Sequence, residues 1–210
     1  MGSWTNFYIS IPDAKAVVEA IADLTDEMVI THDVEFPEEM GDYQMYDLGL
    51  SPTYIAIGNT QPHWTTIVHN SFDKMEDWGE LLSKKFNYKV IVTIAQSVSM
   101  AYYFALYENG VKLREIETCY SDDSEEVNYG KKFDFEDARP GHKSEWNGEE
   151  IYSFDFNDIE AYCRHFNLTI ETNYNDVQWA VLKARHLKKE SVTDYLKRTV
   201  KKPWWMFWQR

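Results

Sequence analysis

Six histidines, two cysteines and thirty-five carboxylates are the side chains through which this 210-residue chain could do chemistry. The histidines are His32, His63, His69, His142, His165 and His186, and they form neither an HExxH motif nor any pair at helical ligand spacing. His63 and His69 flank one strand-like run, where a six-residue separation puts both on one face. Two imidazoles without a third ligand make a poor metal site, so no metal is expected. Cys119 and Cys163 form no CxxC pair and no disulfide framework, and read as two thiols of a reducing compartment. There is no GxSxG and no Walker loop, and nine glycines leave little room for a phosphate cradle. Among so many carboxylates any acid–base pair picked from sequence would be arbitrary. The chain therefore does not read as an enzyme, and no catalytic residue or cofactor is named.

The carboxylates can act in another way, as a field. Two acidic clusters stand out: Glu35, Glu38, Glu39 and Asp42, and then Asp122, Asp123, Glu125 and Glu126, with Tyr129 close behind. The second lacks the alternating acids and terminal Glu of a calcium loop. Solvated loops would account for both clusters; an anionic docking face is the other reading. Net charge is −14, unevenly spread. Residues 183–210 hold nine Lys/Arg and two Asp/Glu, leaving 12 basic and 33 acidic residues in the first 182. A body charged at −21 is a poor ligand for nucleic acid, which is met first by positive charge, and a good one for a basic protein.

The carboxy-terminal KKPWWMFWQR carries Trp204, Trp205, Phe207 and Trp208 beside two lysines. Three placements compete for these aromatics: folded back on the body, docked into a partner or a second copy as a route to a homo-oligomer, or set at a membrane interface. The segment is too short to span a bilayer, and no apolar run elsewhere approaches the roughly 20 residues needed. No basic segment followed by an apolar stretch opens the chain, so the expected location is the cytoplasm.

The elements that must position these groups follow from periodicity. A hydrophobic content of 44% and an aromatic content of 16% argue for an ordered core. Trp4–Ile11, Met28–Val34, Pro52–Gly58, Trp64–His69, Tyr88–Ala95 and Val177–Ala184 read as strands. Asp13 and Asp73 are expected to cap helices bearing Val17, Val18, Ile21 and Leu24, and Met75, Trp78, Leu81 and Leu82. Asn109-Gly110 between two strand-like runs predicts a tight hairpin. Residues 121–155 read as an acidic surface excursion. Asn157 with Glu160 suggests a capping box for a helix over Asp158–His165, and Ser191 with Asp194 another for a helix that Pro203 ends. The predicted class is α+β: a mostly antiparallel sheet with helices packed on it, and a C-terminal helix and aromatic tail. Segments 1–62, 63–120 and 121–210 make up one globule. Trp4-Thr5/Asp13 and Trp64-Thr65/Asp73 head the first two, with three identities over 22 positions. Either a duplication or shared start signals would produce that.

The run W-T-(strand)-D-x-x-x-D-W-x-x-x-L-S, followed by YYFALYENGVKLREIE, resembles bacterial immunity-type proteins encoded beside secreted toxins. Trp64, Trp78, Leu82, Ser83 and the hairpin from Tyr102 to Glu117 carry the resemblance. It implies a small α+β protein that binds and blocks a toxin without catalysis of its own. The acidic loops would supply charge, with Phe36 and Tyr129 as aromatic anchors. The alternative is an enzyme or small-ligand binder with a pocket lined by Trp64, Trp78 and Tyr102.

Overall fold

A computed structural model describes residues 3–25, 28–41, 52–71, 73–97, 99–120 and 126–184. Asp42, Asp122, Asp123, Glu125, the expected helix after Ser191 and the aromatic tail lie outside these residues, as do the side chains of Trp4 and Glu39.

The chain runs β1 (Ser3–Ile9), α1 (Ala14–Leu24), β2 (Met28–Val34), β3 (Tyr54–Gln61), β4 (Trp64–His69), α2 (Glu76–Phe86), β5 (Val90–Gln96), β6 (Ala101–Glu108), β7 (Val111–Cys119), β8 (Val127–Gly130), β9 (His142–Trp146), β10 (Glu149–Ser153), α3 (Phe156–Arg164) and β11 (Trp179–Ala184). Nine strands form one sheet in the order β2-β11-β3-β4-β1-β5-β6-β7-β8, and β9 and β10 form a separate hairpin. Every pairing is antiparallel, so the fold is α+β as the patterning predicts. All three sequence segments contribute strands, and β11 inserts between β2 and β3. No described helix is long and apolar enough to cross a membrane.

The central strands are buried on both faces because helices cover both. On one face Phe7, Ile9, Ile57, Ile67, Val92 and Ala105 meet α1 and α2 through Val17, Ile21, Trp78 and Leu82. On the other, Tyr8, Ile91, Phe104 and Ile116 meet α3 through Ile159, Tyr162 and Cys163. A β-branched run such as Val90–Ile94 suits a strand that must pack in both directions.

β1 and β4 lie side by side, with Phe7 paired to Ile67, its counterpart in the Trp4/Trp64 alignment. An approximate local two-fold thus passes between these two residues. The correspondence ends with the helices: β5, which follows α2, pairs with β1, whereas β2, which follows α1, lies at the sheet edge, and β3 pairs with β4. Both helices lie on the same face.

Local signals fared unevenly. Asp13 caps α1, accepting from the Ala16 N–H at 3.0 Å. Asn109 and Gly110 take φ values of 54° and 78° and close the β6–β7 hairpin. Asp73 does not cap α2: its Oδ1 accepts from Met75 N at 2.7 Å, and the helix starts after Met75 with no side-chain cap. Leu81 is 48% exposed and Leu82 is buried, since one helical residue is a 100° turn. The box at α3 is Asp155 with Asp158, so that helix begins two residues earlier than the Asn157/Glu160 pattern implied. Glu160 instead pairs with Arg164 one turn on. The excursion 121–155 is more than a loop: it supplies β8 and the β9–β10 hairpin, closed by a second Asn-Gly at 147–148.

Candidate functional site

Of the residues singled out for partner binding, Glu126 and Tyr129 fall on the β7–β8 edge of the sheet, Glu126 just before β8 and Tyr129 within it. Glu35 and Glu38 are exposed beyond β2 at the opposite edge, with Glu39 in the same turn as Glu38. Eight inter-strand steps separate the two edges, on the order of 38 Å at about 4.8 Å per step. Glu35 and Glu38 thus stand on a different surface from Glu126 and Tyr129. Phe36 is no free anchor, because its ring packs 4.7 Å from Tyr174 and 5.0 Å from Trp179. Tyr129 is 55% exposed.

Tyr129 is held from behind. Arg114 on β7 is fully buried and its Nη1 donates to the Tyr129 carbonyl at 2.6 Å and to the Glu115 carbonyl at 3.2 Å. Its Nε and Nη2 donate to the two oxygens of Glu136 at 2.8 and 2.6 Å. Sequence reading missed this pair, because a single Arg in a strand and a Glu in an acidic run give no hint that they meet. At the end of β8, Gly130 has φ 90°, and a Cβ there would lie 2.0 Å from the Leu113 carbonyl oxygen. Only glycine allows so close an approach between the two strands.

Cross-strand pairing sets Tyr129 opposite Glu115 and Val127 opposite Glu117 on the α2 side of the sheet. Glu117 accepts from Lys74 at 2.5 Å, Glu115 from Lys112 at 3.0 Å, and Glu76 from Lys112 at 2.7 Å. Lys74 also lies 5.0 Å from the Tyr103 ring centroid. Burial pushes the Glu117 carboxyl up against the opposing pull of Lys74. Burial alone would lower Lys112, but the hydrogen bonds to Glu76 and Glu115 outweigh it and hold that ammonium above its ordinary range. Burial also raises the Tyr107 phenol to about 12. Each carboxylate here is answered by an ammonium within 4 Å, so the cluster is an ion-pair network, not an assembled acid–base pair. Three carboxylates against two lysines leave it net negative.

On the other side of the same edge, a cleft of about 140 Å³ lies among Tyr120, Glu126, Asn128, Arg139, Tyr152 and Phe154. Tyr120 lines it, its hydroxyl accepting from Phe154 N at 2.6 Å. The edge therefore presents an exposed aromatic ring with acidic groups on one side and a side-chain-sized cleft on the other.

Other clusters have structural uses. His142, Asp155 and Asp158 bring ligand atoms within 4.8 Å of one another. Asp155 Oδ1 accepts from Asn157 and Asp158 N–H, and Asp158 Oδ2 accepts from Asp155 N and faces His142 Nδ1 at 2.9 Å. These groups cap α3, where the helix dipole favours negative charge and opposes a cation. His69 is buried between Phe7 and Trp78, and desolvation pushes its pKa down to about 3. His63 is exposed in the β3–β4 turn, so the two imidazoles share no site. Trp64 and Trp78 belong to cores on opposite faces of the sheet, which rules out a pocket lined by both with Tyr102.

No protein family, curated protein or solved structure matches this chain. The site must be read from its own chemistry.

Proposed function

We propose that this chain is a protein-binding module that engages a cationic partner through the β7–β8 edge, and that it works as a cytoplasmic immunity protein or antitoxin occluding a toxin. The observation that carries the reading is Tyr129: an exposed aromatic ring whose backbone is fixed by a buried arginine, on an edge strand amid acidic groups. Rigid aromatics with backing of this kind serve as interface anchors, because little conformational entropy is lost when they are covered. The surrounding negative charge would steer a basic surface toward the ring and speed encounter. Occlusion needs no chemistry from the inhibitor, which suits carboxylates held in an ion-pair network.

The test is titration of the product of the neighbouring reading frame, by calorimetry at low and high salt. Binding that weakens as salt rises and is lost on changing Tyr129 supports the reading. Absence of binding at low salt, or binding indifferent to salt, removes it.

A further inference from the structure

β2 is uncovered by the described residues: Val29 to Asp33 are all exposed, although alternate residues point to opposite faces. Val29 is 47% and Ile30 38% exposed, and they pair with Lys183 and Leu182. Leu182 belongs to the core under α1, so Ile30 shares that face. Two residues on, at His32, a groove of about 530 Å³ opens between α1 and β2. Val18, Ile57 and Ala180 form its floor, and Lys15, His32 and Asp33 its rim. The strand MVITHDV contains no lysine or proline, the usual protections of an edge.

The chain carries its own occupant for this surface. β11 ends at Ala184, paired with Met28 at the start of β2, so residues 185–210 depart beside the exposed strand. Those residues hold eight Lys/Arg and two Asp/Glu, a net of +6 that leaves residues 1–184 at −20. Asp33, Glu35 and Glu38 stand exposed along and just beyond β2. Trp204 lies twenty residue steps beyond Ala184, enough for about 30 Å even if wholly helical, more than the roughly 24 Å length of β2.

We propose that the carboxy-terminal segment, residues 185–210, docks in cis over β2 and the groove beside α1. Its aromatic side chains cover Ile30 and the groove floor, and its lysines face Asp33, Glu35 and Glu38. A second copy of the chain, or a foreign protein, is the rival occupant.

Limited trypsin digestion of the full-length protein tests this, with cleavage at Arg198 and Lys201 followed by mass spectrometry at high and low protein concentration. Cleavage should be slow and independent of concentration. Ile30→Asp should speed it about tenfold, the loss of one buried side chain's contribution to local stability, with near-ultraviolet dichroism unchanged. Ile30→Leu, which keeps the apolar surface, should cleave at the wild-type rate. Wild-type cleavage as fast as in a free peptide of residues 185–210 overturns the proposal. So does protection that survives Ile30→Asp, or protection that fades on dilution, which would assign the surface to a second copy.

Discussion

Arg114 and Glu136 meet in a two-pronged pair, Nε to Oε1 at 2.8 Å and Nη2 to Oε2 at 2.6 Å, with neither side chain exposed. Both partners are fully desolvated, so removing one strands the other. Glu136→Gln should destabilise the fold by about 3–5 kcal/mol in urea denaturation. Arg114→Met with Glu136→Leu should cost clearly less, since neither variant residue leaves a buried charge. If the single and double variants are equally damaging, the loss is of packing and not of charge balance.

Tyr129 and Glu126 should separate affinity from encounter rate. Tyr129→Ala should weaken partner binding at least about tenfold, mainly through faster dissociation, and shift folding stability by no more than about 0.5 kcal/mol. Glu126→Gln should slow association and flatten its salt dependence, leaving dissociation nearly unchanged. Glu35→Gln and Glu38→Gln, at the far edge of the sheet, should leave the affinity as it was. Surface plasmon resonance at two salt concentrations reads all three effects.

Much of the fold was legible in the sequence. Runs rich in β-branched and aromatic residues located most strands, and Asn109-Gly110 its hairpin, because a tight turn with two positive φ values leaves few residue choices. The pairing of Phe7 with Ile67 gives the Trp4/Trp64 alignment a geometric basis that three identities alone could not. The alignment slips by one in the helices, where burial matches Val17, Val18 and Ile21 with Trp78, Gly79 and Leu82. Asp73 was misread because an Asp before an amphipathic run serves an Asx turn as readily as a cap. The candidate site was half legible. Charge and aromatic composition marked Glu126 and Tyr129, but whether two acidic loops share a surface depends on strand order. Strand order is set by long-range pairing, on which local pattern is silent.

Gly79 lets α2 pack directly against the ring of Tyr107 on β6. A Cβ on it would lie 2.6 Å from Cε2 of Tyr107, a ring buried beneath the helix with no room to yield. Gly79→Ala would gain helix propensity yet should lose about 1–3 kcal/mol overall through overpacking. Adding Tyr107→Leu should recover part of that loss in thermal melts. A stabilised Gly79→Ala protein would mean that the helix can lift away from the sheet.

His142 ties the β9–β10 hairpin to α3, and its contribution should depend on pH. The hydrogen bond to Asp158 raises the imidazole above its ordinary 6.5 in the folded chain. The folded state therefore holds that proton more tightly than the unfolded state. The resulting stability is complete below pH 6.5 and is lost as pH rises through the higher folded value. Burial raises Asp158 above its ordinary 3.8, so on the acid side the carboxylate becomes protonated and stops answering the imidazolium. The difference between wild type and His142→Gln should thus peak between these limits and shrink on either side. Because the His142 side chain is half exposed, solvent screening keeps the peak below about 1 kcal/mol. Urea denaturation of both proteins at several pH values checks this, and a difference that grows above pH 8 would show that His142 acts as a neutral hydrogen-bonding group.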